Sequence, residues 1–257
     1  MGDYFVKFRE LVQETYDMNG KKRVIIVCHS MGCPMMLYFF NRQSQTWKNK
    51  YIKSLVTLGA PWGGSVKAVK AFASGDNLGV IVLESLKIRK DERTFPSVAF
   101  LLPTDKFWAK NETILTTGVK NYTVANFDQF FNDINYTVGY NMWLDTRNIT
   151  YELKPPKVEI HCLHGFGIKT MDVLTYSNKT FPNEQPKIKY GDGDGTVNLR
   201  SLQGCLRWKD QQSNPVHYKN FTQVEHMSIM SDSRIIEYIR NVALPNATTH
   251  IDNKHKR

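Results

Sequence analysis

The feature that most constrains the fold is a short apolar run that leads directly into a serine-containing turn. Residues 23–32 read RVIIVCHSMG, and positions 24–27 are β-branched throughout, which is typical of a buried parallel strand. A helical pattern follows. The order strand, serine in a tight turn, helix is the setting of a nucleophile elbow, although Cys28 replaces the first glycine of the usual G-x-S-x-G. The alternative is an ordinary serine N-cap.

Further strand patterns lie on both sides of a long irregular stretch. Strands are predicted at residues 52–58 and 158–164, with further strand candidates at 188–190 and around 216–221. Helical spacing predicts a first helix over residues 4–16 and a closing helix through Ile235, Ile239 and Val242. From residue 65 to about 156 the aromatic residues are scattered and no strand–helix alternation is visible. Such a stretch is typical of a cap inserted over an active site.

Three loops that follow predicted strands carry Ser30, the pair Asp192 and Asp194, and His226, in that order. Loops at the carboxyl edge of a parallel sheet hold the chemistry of α/β enzymes, and the order Ser, Asp, His is that of α/β-hydrolases. A serine hydroxyl becomes nucleophilic when a neutral imidazole takes its proton. A carboxylate must fix that imidazole. The spacing leaves the choice between the two aspartates open.

Other interpretations of these residues are weaker. An EF-hand that began at Asp192 would need Gly and Glu where Val197 and Gln203 stand, so a calcium loop is excluded. A lone histidine is usually a surface residue, but the position of His226 after the last predicted strand favours a functional role. His29 and His161 fit structural roles better.

The four cysteines are compatible with an oxidising compartment. Cys162 and Cys205 could form one bridge, whereas Cys28 and Cys33 flank the elbow, which should send them in different directions. We therefore expect both to be free thiols. No cysteine has the close C-x-x-C spacing of zinc ligands, so no metal site is predicted.

Seven N-x-T sequons, about three times the number that chance would give, predict glycosylation in a secretory compartment. Their asparagines are Asn111, Asn121, Asn135, Asn148, Asn178, Asn220 and Asn246. The first sixteen residues, however, form an amphipathic pattern without a signal-peptide region, and Val6 breaks the myristoylation pattern. The simplest reconciliation is that the sequence lacks its true beginning.

The net charge of +10 is unevenly distributed. Residues 41–75 contain six cations and no acid: Arg42, Lys48, Lys50, Lys53, Lys67 and Lys70. A solvated basic face is one interpretation, and attraction to anionic lipid headgroups is the other. No nucleic-acid-binding motif accompanies the charge, and no apolar run approaches the ~20 residues of a membrane span.

The chain resembles the lecithin:cholesterol acyltransferase family, and more closely its lysosomal phospholipase A2 branch. The motifs that carry the resemblance are HSMG at 29–32, LYFFNRQSQTWKNKYI at 37–52, LGAPWGG at 58–64, LKIR at 86–89, HCLHG at 161–165, GDGDGTVN at 191–198 and EH at 225–226. The resemblance extends from about residue 4 to residue 243. The resemblance implies the α/β-hydrolase fold and a lysosomal or secreted parent.

The resemblance further implies an acyl-enzyme on Ser30, with Asp194 as the orienting acid, His226 as the base and the N–H of Met31 as an oxyanion donor. It also implies a disulfide between Cys162 and Cys205. The substrate would be a phospholipid in a membrane or lipoprotein surface, and the acyl acceptor water or a lipid alcohol, with no cofactor.

This sequence also departs from the family pattern in one respect. In the family, the chain before the elbow supplies the first strands, a second oxyanion donor, a lid and a membrane-docking element. We therefore expect the strand at 24–27 to be an unpaired apolar sheet edge. The predicted organisation is the C-terminal two-thirds of the fold: core 1–64, cap 65–155, core 156–243 and a polar, disordered tail 244–257. The alternatives in function are a non-catalytic lipid-binding remnant and a soluble serine esterase or thioesterase.

Overall fold

The computed structural model of the chain describes residues 2–77, 79–80 and 82–244. The strands are β1 Val24–His29, β2 Ile52–Leu58, β3 Leu115–Thr116, β4 Asn121–Tyr122, β5 Glu159–Phe166, β6 Thr170–Thr175, β7 Lys187–Gly191 and β8 Val216–Thr222. The helices are α1 Gly2–Met18, α2 Gly32–Phe40, α3 Gln45–Tyr51, α4 Val66–Ser74, α5 Ser85–Glu92, α6 Pro96–Phe100, α7 Phe127–Asp133, α8 Thr137–Thr146, α9 Leu199–Leu202 and α10 Ser233–Ala243. Two 3-10 helices span Gln203–Asp210 and Ser228–Met230.

The main sheet has the order β1-β2-β5-β8, and every pair in it is parallel. The four strands correspond to the strands predicted at residues 24–27, 52–58, 158–164 and 216–221. Within the described residues β1 pairs on one side only, and Val27 in it is 46% exposed. The predicted unpaired apolar edge is therefore present.

Both faces of the main sheet are covered, as the continuous apolar strands require. On one face Leu55 and Ile160 pack with the buried side of α2, where Phe39 and Phe40 are fully enclosed. On the other face Val56 and neighbouring apolar residues pack against α10. The N-cap of α10 is Asp232, whose side chain accepts from the N–H of Arg234.

A second, smaller sheet has the order β4-β3-β6-β7. It combines two-residue strands from the irregular stretch with two strands that follow β5. An aromatic cluster packs with it, including the buried residues Phe72, Trp108, Phe130 and Phe131. The sequence predicted neither this sheet nor β6. The division of the chain at residues 64 and 155 stays a prediction.

None of the described helices combines the length and apolarity needed to cross a bilayer. The sequon at Asn246 and nearly all of the tail predicted to be disordered lie outside the described residues.

Candidate active site

Ser30 lies in the predicted turn between β1 and α2. Its φ of +51° is in the left-handed region, which a residue with a side chain adopts only where the surrounding structure enforces it. Two hydrogen bonds hold the turn: the N–H of Ser30 donates to the carbonyl of Leu58 at 2.9 Å, and the N–H of Cys33 donates to the carbonyl of Ser30 at 3.0 Å. The strained serine is the hallmark of a nucleophile elbow.

His226 reaches Ser30 from the loop after β8. Its Nε2 lies 2.9 Å from Ser30 Oγ, and its Nδ1 lies 2.7 Å from Asp194 Oδ2. Both His226 and Asp194 are buried, and the N–H of His226 donates to the carbonyl of Asp194 at 2.9 Å. The three predicted side chains therefore form one hydrogen-bonded line.

The structure separates the two aspartates of the GDGDG loop. While its Oδ2 contacts His226, the Oδ1 of Asp194 accepts hydrogen bonds from the N–H groups of Thr196 and Val197, at 3.1 and 2.8 Å. Asp192 is exposed, and its Oδ1 instead accepts the N–H groups of Gly167 and Gly193, both at 2.7 Å. Asp192 thus holds the loop, while Asp194 faces the histidine.

Gly59, directly after β2, lies behind the histidine and the aspartate. It has a φ of +58°, and a Cβ at this position would lie 3.1 Å from His226 Nδ1 and 3.2 Å from Asp194 Oδ2. A Cβ at this position would press against the pair, so the close packing favours glycine. The sequence contained Gly59 in the LGAPWGG motif, but nothing in the sequence indicated its role.

His29 contacts the backbone of the loop that carries His226. Its Nε2 donates to the carbonyl of His226 at 2.8 Å, and burial lowers the pKa of His29. A neutral ring that donates a hydrogen bond fixes the position of the loop, in agreement with the structural role expected for His29. Met31 follows Ser30 directly and is the N-cap of α2, which is where an oxyanion donor is expected to lie.

Ser30 and His226 open into a cleft of about 470 Å³. Its apolar wall contains Ala68, Ala71, Val98, Leu101, Val197 and Met227. Charged side chains from α4, α5 and the loop between them also line the cleft, namely Lys67, Asp76 and Glu92. The wall beside Ser30 is therefore mainly apolar.

The charged part of the cleft is a buried network. Asp76 lies 3.4 Å from Lys67 Nζ and 3.5 Å from Lys70 Nζ, and its N–H donates to Glu92 Oε2 at 2.9 Å. Burial raises the pKa of Glu92 and lowers the pKa of Lys70. The sequence did not predict this network, because its members are distributed over a stretch without periodicity.

Two disulfides are present. Cys162 in β5 is joined to Cys205, the pairing that the resemblance implied. Cys28 and Cys33 are also joined, so the expectation of free thiols was wrong. The elbow reverses the chain so tightly that the two Cα atoms lie 5.1 Å apart, within the usual range for a disulfide.

The parallel main sheet, the elbow after β1 and the order of the three loops define the α/β-hydrolase class, as predicted. A chain of the Tle4–Tli4 complex matches the fold with a TM-score of 0.55, over 91% of this chain and 63% of that chain, at 12% identity.

Within the α/β-hydrolase class, sequence similarity defines a narrower family. The family model described as lecithin:cholesterol acyltransferase matches residues 1–233, and the chain belongs to that family. The chain is 41% identical to the lysosomal phospholipase A and acyltransferase of Rattus norvegicus and 40% identical to that of Homo sapiens, in each case over 95% of this chain and 58% of that protein. It is 38% identical to the phosphatidylcholine-sterol acyltransferase of Gallus gallus, over 89% of this chain and 55% of that protein. It thus spans less than two thirds of the length of these curated relatives.

Proposed function

We propose that this chain carries the catalytic residues of a lipid O-acyltransferase and phospholipase A that works through a serine acyl-enzyme. The observation that carries the proposal is the hydrogen-bonded line from Ser30 Oγ through His226 to Asp194, with distances of 2.9 and 2.7 Å. Its position at an apolar cleft, together with membership of an acyltransferase family, supports a lipid ester as the substrate.

In the first half of the reaction Ser30 Oγ attacks the ester carbonyl of a phospholipid. His226 Nε2 takes the hydroxyl proton, and Asp194 stabilises the imidazolium through its hydrogen bond to Nδ1. Negative charge develops on the carbonyl oxygen, which the N–H of Met31 at the start of α2 is suited to receive. The tetrahedral intermediate collapses when His226 protonates the leaving lysophospholipid alcohol.

In the second half His226 acts as a base again. It takes a proton from water or from a lipid alcohol, whose oxygen attacks the acyl-enzyme and restores Ser30. Water gives a free fatty acid and a lipid alcohol gives a new ester, so one site supports hydrolysis and acyl transfer. No step of this chemistry needs a cofactor.

A fluorophosphonate probe followed by a vesicle assay tests the proposal. Ser30 should be labelled in the wild-type chain, with no labelling in Ser30→Ala, because the probe reacts only with an activated serine. The wild-type protein that reacts with the probe should also release fatty acid from phosphatidylcholine vesicles. A folded wild-type chain that resists the probe would favour a non-catalytic lipid-binding role. Turnover of short-chain esters without any activity on vesicles would favour a soluble esterase or thioesterase.

We also propose that the parent protein is glycosylated and reaches the lysosome or the extracellular space, where it works at a phospholipid membrane or lipoprotein surface. All six described sequon asparagines are exposed, the two disulfides fit an oxidising compartment, and relatives are described as lysosomal. A mobility shift after endoglycosidase treatment of the secreted or lysosomal form would support the proposal, and its absence would contradict it.

A further inference from the structure

A second cluster of chemically reactive side chains lies at the opposite end of the main sheet from Ser30. Glu159 and His161 are near the start of β5, and His217 is near the start of β8. Side chains two residues apart on a strand share a face, so Glu159 and His161 point to the same side. β5 and β8 pair in parallel with His161 beside His217. The register therefore brings two imidazoles and one carboxylate together.

The three side chains are already close enough to share an ion. Glu159 Oε1 lies 3.0 Å from His161 Nε2 and 3.5 Å from His217 Nε2. The two rings stack with centroids 4.5 Å apart, and one ligand atom from each residue lies within 4.8 Å of the others. Two imidazole nitrogens and a carboxylate oxygen are a donor set that suits Zn²⁺ and its neighbours in the first transition row.

The surroundings orient one ligand and leave the others adaptable. His161 is buried, and its Nδ1 is 2.9 Å from the hydroxyl of Tyr238 in α10. A hydrogen bond to the nitrogen that does not bind the metal is how proteins usually orient a ligating histidine. His217 and Glu159 are partly exposed, with side chains 47% and 36% accessible. They have room to rotate toward an ion and to leave a coordination position for water.

Some charged groups near the cluster favour a bound cation and others oppose it. Glu159 contributes a negative charge, and because the Nδ1 of His161 is engaged with Tyr238, its Nε2 faces Glu159 and the position of an ion. Lys53 and Lys219 are nearby cations that oppose a metal; Lys53 Nζ donates to the carbonyl of Val242 at 2.6 Å, and Lys219 Nζ lies 5.4 Å from the centre of the Tyr238 ring.

We propose that Glu159, His161 and His217 form a binding site for one divalent transition-metal ion of the Zn²⁺ type. A bound ion would tie β8, an outer strand of the described main sheet, to β5 and, through Tyr238, to α10. The site is separate from the proposed acyl-transfer chemistry, so either can fail without the other. The sequence missed it because only the register of strands far apart in the chain brings His217 to His161.

Calorimetric titration of the 257-residue chain with ZnCl₂ at pH 7.5 tests the proposal. We expect one Zn²⁺ site that is weakened by about tenfold or more in each of His217→Leu and Glu159→Gln, because each variant removes one ligand. The matched control is Lys189→Leu, which also places leucine at an exposed strand position but lies in β7 of the second sheet, and it should leave binding unaltered. Binding should weaken as the pH falls from 7.5 to 5.5, since protons compete for the imidazoles.

Thermal unfolding provides a second readout. Zn²⁺ should raise the Tm of the wild type and of Lys189→Leu and have no such effect on His217→Leu, while the three proteins should have similar Tm values in EDTA. His226→Ala reports any zinc held at the triad instead. Undiminished binding in both ligand variants, loss of binding in His226→Ala alone, or no zinc binding by the wild type would each overturn the proposal. The cluster would then be a carboxylate shared by two histidines.

Discussion

Replacing Gly59 with alanine should slow the reaction without removing any reacting group. Gly59 follows β2 with a φ of +58°, and its N–H donates to the carbonyl of Leu163 at 2.9 Å, so the backbone cannot easily move away. The new Cβ would lie 3.1 Å from His226 Nδ1 and 3.2 Å from Asp194 Oδ2. Both distances are shorter than an ordinary carbon contact, so the imidazole or the carboxylate must shift.

The size of the effect follows from these distances. Relief of the contacts needs a displacement of about 0.3 Å, and a misplacement of 1 Å can cost ~10²-fold in rate. We therefore expect kcat to fall roughly three- to tenfold, with KM nearly unchanged because the cleft wall is untouched. The left-handed backbone adds a separate loss of about 1–2 kcal/mol in the free energy of unfolding.

Gly20→Ala is the control for the backbone term. Gly20 has a similar φ of +64°, but a Cβ there would meet nothing within 4 Å. Both variants should lose stability in denaturant unfolding, and only Gly59→Ala should show slower fluorophosphonate labelling and a lower kcat on vesicles. A folded Gly59→Ala that reacts at the wild-type rate would refute this account of the site. Equal slowing in Gly20→Ala would do the same.

Three further predictions concern the acid, the elbow and the cleft. Asp194→Asn should lower kcat on vesicles steeply, by analogy with the ~10⁴-fold effect in a serine protease, whereas Asp192→Asn should cost less than about tenfold; the reverse order would show that the wrong aspartate has been assigned. Cys33→Ser should reduce the free energy of unfolding by about 2 kcal/mol, the chain-entropy value for a loop closed across five residues. Non-reducing peptide mapping of the wild-type chain should find Cys28 bonded to Cys33. Burial raises the pKa of Glu92 above 4.5, so its stabilising contribution is complete below pH 4.5 and is lost as the pH rises through the raised value. Glu92→Gln should therefore raise the Tm at pH 7 and have little effect at pH 4; a Tm increase of equal size at both pH values would contradict this assignment.

The sequence predicted the elements whose signal is local. β2 begins and ends as predicted, at Ile52 and Leu58, because most of its residues are buried between the two covered faces of the sheet and the apolar and β-branched ones among them mark the strand in the sequence. Ser30 could be located for a similar reason, since the strand, the turn and the helix that define an elbow are consecutive in the chain. His226 was found by its place after the last strand pattern.

Features made of short or irregular segments were not predicted. β3 and β4 have two residues each, too few to show alternation, and they are stable only because β6 and β7 extend their sheet. The same stretch supplies Asp76 and Glu92, whose burial in the cleft depends on how α4 and α5 pack rather than on any local pattern.

The sequence by itself therefore determined the α/β-hydrolase class, the elbow at Ser30 and the chemical types needed around it. Only the tertiary structure decided which side chains meet. Asp192 and Asp194 are equivalent by spacing, and the hydrogen bonds of the folded loop distinguish them. The dihedral angles of the elbow decide whether Cys28 reaches Cys33. The physical reason is that hydrophobic periodicity specifies local conformation, whereas contacts between distant residues depend on strand register and loop geometry, which the whole packed structure sets.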